Sequence, residues 1–174
     1  YEELVQWNRA IDVYRTIIAR YPNSKQAEAA QLLLGHAYRS DDNHVKAIEA
    51  YNVIRQGGIG KYPVHIVIES ILHMGETQGL MDDHRAAATS YLRVFYLYKE
   101  QDPLSALIAT ARAGDAFADA AQLVNARDEY ERAISFYESQ SPEIQHSPQK
   151  RDWDQLRDYA KEKLEQISSQ INQR

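Results

Sequence analysis

Four spacings recur along this chain, and they constrain its fold more than any other feature of the sequence. Gly35, Gly75 and Gly114 are each followed by marker residues at offsets of +3, +12, +16 and +19. The markers are Tyr38, Ala47, Tyr51 and Ile54, then Gln78, Ala87, Tyr91 and Val94, then Phe117, Ala126, Tyr130 and Ala133. Ala10, Tyr14 and Ile17 repeat the tail of the pattern. Successive marker alanines are 37, 40 and 39 residues apart, which is typical of a repeat architecture.

The segments between these markers have the pattern of amphipathic helices. Apolar residues such as Leu33, Leu34, Ala37 and Tyr38 recur at three- and four-residue steps, while strand-like alternation is nearly lacking. The 174 residues include seven glycines and five prolines, so helix-breaking residues are few. The sequence predicts an all-α protein built from repeated helix pairs.

Two segments resemble the tetratricopeptide repeat, a helix-turn-helix unit marked by Leu-Gly, Tyr, Ala, an aromatic residue and Pro. They are "LLGHAY" (33–38) with "KAIEAY" (46–51), and "WNRAIDVYRTIIARYP" (7–22). The match is weaker where Gln78 replaces the aromatic residue and where Ala113 replaces the leucine. The resemblance covers residues 1–141 and implies a right-handed superhelical solenoid of antiparallel helix pairs.

The spacing divides the chain into six segments. We expect a truncated first repeat, mainly its second helix, followed by three complete repeats, a linker and a C-terminal capping helix. The respective bounds are 1–24, 25–63, 64–103, 104–141, 142–150 and 151–172. The last helix carries one apolar stripe: Trp153, Leu156, Ala160, Leu164, Ile167 and Ile171. Such a stripe suits a helix that covers the end of the stack, and its alternative is a partner-binding or coiled-coil helix.

The marker glycines have a packing explanation. Glycine inside a helix costs about 1 kcal/mol relative to alanine, so its recurrence indicates that two helices approach closely there. We expect Gly35, Gly75 and Gly114 to face the marker alanines of the following helix, with Tyr38 and Phe117 filling the space below.

The repeats are longer than the 34-residue consensus, and the first ends in "YPNS" (21–24). Elongated units of this kind resemble bacterial envelope proteins, such as the outer-membrane-assembly lipoprotein and the periplasmic partner of the Tol system. That resemblance, with the lack of cysteine, implies a periplasmic or outer-membrane-associated protein; the alternative is the cytoplasm. Because Tyr1 already lies in a helical pattern, we expect the natural N-terminus to lie further upstream.

Charge and hydropathy exclude two classes of partner. The net charge is -5, from 20 basic and 25 acidic residues, and no basic stripe is visible, which argues against nucleic acid. No apolar run approaches the roughly 20 residues that span a bilayer, so we expect no direct membrane insertion in this fragment.

Two acidic clusters raise the question of metal binding. Asp42, Asn43 and His44 occupy the same repeat positions as Asp82, Asp83 and His84, in the turn between two helices. Short Asp and Asn side chains cap helix N-termini, and this interpretation is preferred to a metal site. The clusters are also a whole repeat apart, which disfavours one joint site.

Other candidate sites are weak. "QGGIGKY" (56–62) lacks the spacing of a phosphate-binding loop, and we interpret it as a connector. His65 and His73 are eight residues apart, outside the spacing of a helical zinc pair, and His73 has no second histidine nearby in sequence. Ser70 and Ser90 have no evident base. The sequence therefore predicts no catalytic residues, no metal site and no cofactor, and a protein that is not an enzyme.

In the family that the chain resembles, the first helix of each pair lines a concave groove that holds a peptide or a partner helix. The outward positions around each glycine are Leu32, His36, Arg39, Leu72, His73, Glu76, Arg112 and Asp115. They give a groove of mixed charge with apolar patches. Arg39 and Arg112 carry the most specific polar contacts, and we expect both to lie outside the contacts between helices.

Three functions remain open at this point. The preferred one is a protein–protein interaction scaffold, part of a bacterial multi-protein envelope complex. The alternatives are a self-associating structural repeat stack and the non-catalytic repeat part of a larger enzyme.

Overall fold

The computed structural model describes residues 2–173, and it describes the side chains from Gln6 onward. This part of the chain forms nine α-helices and contains no strand. The helices are α1 (Glu2–Arg20), α2 (Lys25–Ser40), α3 (His44–Gly57), α4 (Val64–Leu80), α5 (His84–Tyr98), α6 (Pro103–Asp119), α7 (Leu123–Ser139), α8 (Ser141–Ile144) and α9 (Lys150–Asn172). A 3-10 turn (Gly58–Gly60) follows α3. The predicted all-α class is confirmed.

The helices form two compact units, divided between Asp83 and His84. In the first unit, α1 packs on α2, α2 on α3 and α3 on α4, and α2 also contacts α4. In the second unit, α5 packs on α6, α6 on α7 and α7 on α9, and α6 also contacts α9. Within each unit, the helices thus pack mainly on their neighbours along the chain, as expected for a stack of helix pairs.

Side-chain caps fix where several helices begin. Ser24 Oγ accepts a hydrogen bond from the Ala27 amide at 3.1 Å, and Asp102 Oδ1 accepts one from the Ser105 amide at 3.0 Å. Asn43 Oδ1 accepts from the Lys46 amide at 3.4 Å, which confirms the capping role predicted for this turn. Each cap stabilises its helix by about 1 kcal/mol.

The turns between paired helices contain a repeat marker that the sequence pattern did not reveal. Asp42, Asp82 and Ala121 lie 40 and 39 residues apart and adopt positive φ angles of 55°, 60° and 56°. In each turn the next amide bonds back to the carbonyl of the +3 marker, at 2.8–3.0 Å. This is the Schellman arrangement that ends a helix. Aspartate tolerates the left-handed conformation better than alanine does, so Ala121 is the strained member of the set.

Replacing Ala121 with glycine should therefore stabilise the protein. A left-handed conformation costs an L-residue about 1–2 kcal/mol, and the extra unfolded-state entropy of glycine offsets roughly 0.5–1 kcal/mol of that gain. We expect a net increase of about 0.5–1 kcal/mol in the free energy of unfolding, measured by urea denaturation. The control is Ala118→Gly inside α6, which should destabilise by about 1 kcal/mol. A destabilised Ala121→Gly variant would contradict the strain.

The marker glycines do allow close packing, but the residue above them is not the one we expected. A Cβ atom added at Gly35 would lie 2.3 Å from the Tyr51 ring, and one added at Gly114 would lie 2.6 Å from the Tyr130 ring. The nearest obstacle is thus the +16 tyrosine, whereas the sequence analysis assigned this role to the +12 alanines. The glycine and the tyrosine recur together because a flat ring needs a surface without a side chain beneath it.

The C-terminal helix α9 covers the end of the second unit, as predicted for a capping helix. Its apolar stripe joins the core that α6 and α7 form: Trp153, Ala160 and Ile167 are buried, and Leu156, Leu164 and Ile171 are partly buried. The segment predicted as a linker, 142–150, is more ordered than that description implies. It includes most of the single turn α8, and Ile144 is buried in the same core with 1% exposure.

Candidate functional site

Four of the predicted groove residues form one polar network between α2 and α4. Arg39 Nη1 donates a hydrogen bond to Glu76 Oε2 at 2.6 Å, and His73 Nδ1 lies 2.7 Å from the same oxygen. The His36 ring lies next to that of His73, with 4.4 Å between the ring centroids. Arg39 therefore bridges two helices, which corrects the expectation that it lies outside the contacts between helices.

His73 Nδ1 lies between an acceptor and a donor. Glu76 Oε2, at 2.7 Å, can only accept a hydrogen bond, whereas Arg39 Nη1, at 3.1 Å, can only donate one. The shorter contact with Glu76 favours a proton on Nδ1. The other ring nitrogen, Nε2, lies 3.6 Å from Glu69 Oε1, one helical turn earlier on α4.

His36 is the most perturbed group in this network. Its pKa is lowered to about 4, mainly by burial and also by the nearby His73 and Arg39, while Glu76 opposes them. Its imidazole is therefore neutral at pH 7. Within the described part of the chain, the buried Nε2 of His36 and the buried hydroxyl of Tyr51 have no hydrogen-bond partner. Burial also raises the pKa of Tyr51 above its usual range.

The repeat at 104–141 surrounds its tyrosine with different side chains. Tyr130 is the counterpart of Tyr51, and Asp115 is the counterpart of His36, at +1 from the glycine. Here the Tyr130 hydroxyl donates to Asp115 Oδ1 at 2.7 Å, and the Tyr159 hydroxyl of α9 donates to the same oxygen at 2.7 Å. The tyrosine hydroxyl therefore has a hydrogen-bond partner in the repeat at 104–141, and it has none among the described residues in the repeat at 25–63.

The second unit contains an open groove between α6 and α9, which we call the α6–α9 groove. Its volume is about 460 Å³. It is lined by Ile108, Ala111, Arg112, Asp115, Asp152, Gln155, Leu156 and Tyr159. Apolar side chains from both helices stand beside charges of both signs. Two of the predicted groove residues, Arg112 and Asp115, lie in it.

The two predicted leucines are less suited to contact a partner. Leu32 is buried, with 7% exposure, so it offers little surface to a partner, and its role in a groove stays a prediction. Its neighbour Leu33 is 40% exposed instead. Leu32, three residues before Gly35 on α2, faces the core of the first unit. Leu72 is half-buried.

Sequence reasoning missed two members of these surfaces. Glu69 precedes His73 by four residues, a helical spacing that brings two side chains together, but the sequence analysis did not pair these two residues. Tyr159 belongs to α9, which the sequence assigned only a capping role. The pairing of His36 with His73 follows from the repeat, since the +1 position of one first helix lies beside the next first helix.

The acidic turn clusters at 42–44 and 82–84 do not form a metal-ligand group in the structure. Among the described residues, a grouping of at least three such side chains within ligand reach occurs at His36, Glu69 and His73. Asn43 caps α3, while no cap is described for Asp83, whose predicted role stays a prediction.

A family model described as the tetratricopeptide repeat matches residues 1–24, which comprise α1 and the turn after it. The helices that follow repeat the same spacing and pack in sequence. The match and the repeated helix pairs support a tetratricopeptide repeat protein. A search of curated proteins gives no significant match. The tetratricopeptide repeat suggests a protein-interaction scaffold in general, and proteins of that family are typically non-catalytic. In the described part of the chain, no helix combines the length and hydrophobicity required of a transmembrane segment.

Proposed function

We propose that this tetratricopeptide repeat protein holds a segment of a partner protein in the α6–α9 groove. The observation that carries the proposal is the groove itself: an open surface on a first helix, with apolar side chains beside Arg112 and Asp115. A scaffold role is typical of the family, and a concave, mostly apolar surface with a few polar groups is the usual form of a recognition site. The finer proposal is that the partner belongs to a bacterial envelope complex.

The side chains define the kind of segment that fits. Ile108, Leu156 and the Tyr159 ring offer apolar contact, so the segment needs at least one apolar side chain to place against them. Arg112 offers two parallel hydrogen bonds to a carboxylate, which a lysine cannot match. We therefore infer a helical or extended segment with an apolar anchor and a nearby acidic residue.

Replacing Arg112 with alanine should weaken partner binding by about 10- to 100-fold, because a hydrogen bond to a charged group contributes roughly 1.5–3 kcal/mol. The partner is first captured from source cells by photo-crosslinking at Gln155, and the crosslinked segment is identified by mass spectrometry. A synthetic peptide of that segment is then titrated against each variant by fluorescence anisotropy.

The matched control is Arg127→Ala on α7, whose side chain pairs with Asp128 and lies outside the α6–α9 groove. It should bind the peptide as the parent chain does. Equal affinity of the Arg112→Ala and parent chains would contradict the proposal. Crosslinks to a second copy of the same chain would instead favour the self-associating stack, and sedimentation at several concentrations would test that outcome directly.

The compartment is a separate part of the proposal. The elongated repeats and the lack of cysteine support a periplasmic or outer-membrane-associated location. Fractionation of the source cells, with detection by antibody, tests this point. Recovery of the protein in the cytoplasmic fraction alone would overturn the location without affecting the α6–α9 groove.

A further inference from the structure

We propose that His36, Glu69 and His73 bind a divalent transition-metal ion of the zinc type. All three belong to the first unit, on the facing surfaces of α2 and α4. The proposal is thus independent of the α6–α9 groove. It differs from the sequence prediction of no metal site, which did not consider His36 together with Glu69 and His73.

The geometry of the three side chains suits one ion. One ligand atom from each residue can be chosen so that all three lie within 4.8 Å of one another. His73 Nε2 and Glu69 Oε1 are 3.6 Å apart. In a tetrahedral site with bonds of about 2.0–2.2 Å, two ligand atoms stand roughly 3.4 Å apart. A small movement of these partly buried side chains therefore completes the site.

The carboxylate beside His73 also favours a metal. Glu76 Oε2 lies 2.7 Å from His73 Nδ1, and Arg39 holds Glu76 in place from α2. A carboxylate that bonds the far nitrogen of a metal-binding histidine orients the ring and makes its other nitrogen more basic. The structure has this arrangement without an ion: Glu76 lies beside His73 Nδ1, and His73 Nε2 faces Glu69.

His36 supplies the second observation. Its buried Nε2 has no hydrogen-bond partner within the described residues, and the neighbouring Tyr51 hydroxyl is in the same condition. Buried polar atoms normally have partners, so two unsatisfied atoms beside one cluster indicate a missing component. The third repeat is the internal comparison: its Asp115 replaces the histidine and satisfies Tyr130 directly. A metal ion at His36 gives the nitrogen a partner, and a water on that ion is a candidate partner for Tyr51.

The ligand set selects the class of metal. Two imidazoles and one carboxylate suit zinc, nickel, cobalt and copper rather than magnesium or calcium, which prefer oxygen ligands alone. Three protein ligands leave a fourth position of a tetrahedral site open. That position would take a water or a donor atom from another molecule.

The test uses the untagged 174-residue chain after treatment with a chelator. Cobalt is added first, because a tetrahedral site gives it a visible absorption band, and zinc is then titrated by calorimetry and by displacement of cobalt. We expect one ion per chain and a higher melting temperature with zinc. Glu69→Gln and His73→Ala should each abolish the cobalt band. Glu76→Gln should weaken zinc binding by about 10- to 100-fold through the orientation of His73.

His65→Ala is the matched control, because His65 is an exposed histidine on the same helix outside the cluster. It should bind zinc as the parent chain does. Circular dichroism establishes that each variant is folded. Glu69 is partly exposed, so we expect the Glu69→Gln variant to fold. The proposal is overturned if the parent chain takes up no zinc at millimolar concentration, or if the folded Glu69→Gln and His73→Ala variants bind it as tightly as the parent.

Discussion

Replacing Trp153 with alanine should lower the free energy of unfolding by about 3–5 kcal/mol, the usual cost of removing a large aromatic side chain from a core. Trp153 has 6% exposure and belongs to the cluster that joins α9 to α6 and α7. Its ring lies 6.4 Å, between centroids, from both Phe136 and Tyr137. The lost packing is therefore the interface that covers the end of the second unit. Urea denaturation followed by circular dichroism measures the change.

The chain offers a matched control, since its other tryptophan, Trp7, is 37% exposed on α1. Trp7→Ala should change the free energy of unfolding by less than about 1 kcal/mol, because a partly exposed side chain leaves a smaller cavity. In the parent chain, the Tyr137 hydroxyl donates to Asp154 Oδ1 at 2.5 Å. We expect this hydrogen bond to persist in the Trp153→Ala variant if α9 stays docked. Equal losses for the two tryptophan variants would show that α9 contributes little to the core.

The helix pairs could be predicted from the sequence because their information is local and repeated. Four spacings set the length of each helix, and Asn43 marks a boundary that the structure confirms. The left-handed turn residues could not be predicted from the sequence, because the third of them is Ala121, a residue type with no preference for positive φ. The left-handed conformation thus recurs in all three turns, whereas aspartate occurs in only two of them.

The candidate sites were harder to predict, because they depend on which side chains meet between repeats. His36 and His73 are 37 residues apart, so no sequence motif joins them, and the structure brings their rings to 4.4 Å. The burial of Leu32 could not be predicted for a related reason. Adjacent positions of one helix can face the core or the surface, and the sequence pattern does not say which neighbour each of them faces. The α6–α9 groove required the placement of α9, which lies beyond the matched repeats.

Replacing Gly35 with leucine should also be severely destabilising, by at least about 3 kcal/mol, the upper end of the usual cost of overpacking. An added Cβ lies 2.3 Å from the Tyr51 ring, and this ring is fully buried, so it has no open space to move into. The stronger helix propensity of leucine returns less than about 1 kcal/mol. Thermal and urea denaturation measure the loss.

Gly79→Leu on α4 is the matched control, because nothing lies within 4 Å of a Cβ built at Gly79. It should leave stability unchanged or raise it slightly through helix propensity. The identity of the obstacle is tested by a double-mutant cycle with Tyr51→Ala. If the ring is what a side chain at position 35 meets, the double variant should be more stable than the sum of the two losses predicts, by about 0.5–3 kcal/mol. Simple additivity would mean that the glycine is required for contact with some other group, such as the Ala47 that the spacing first indicated.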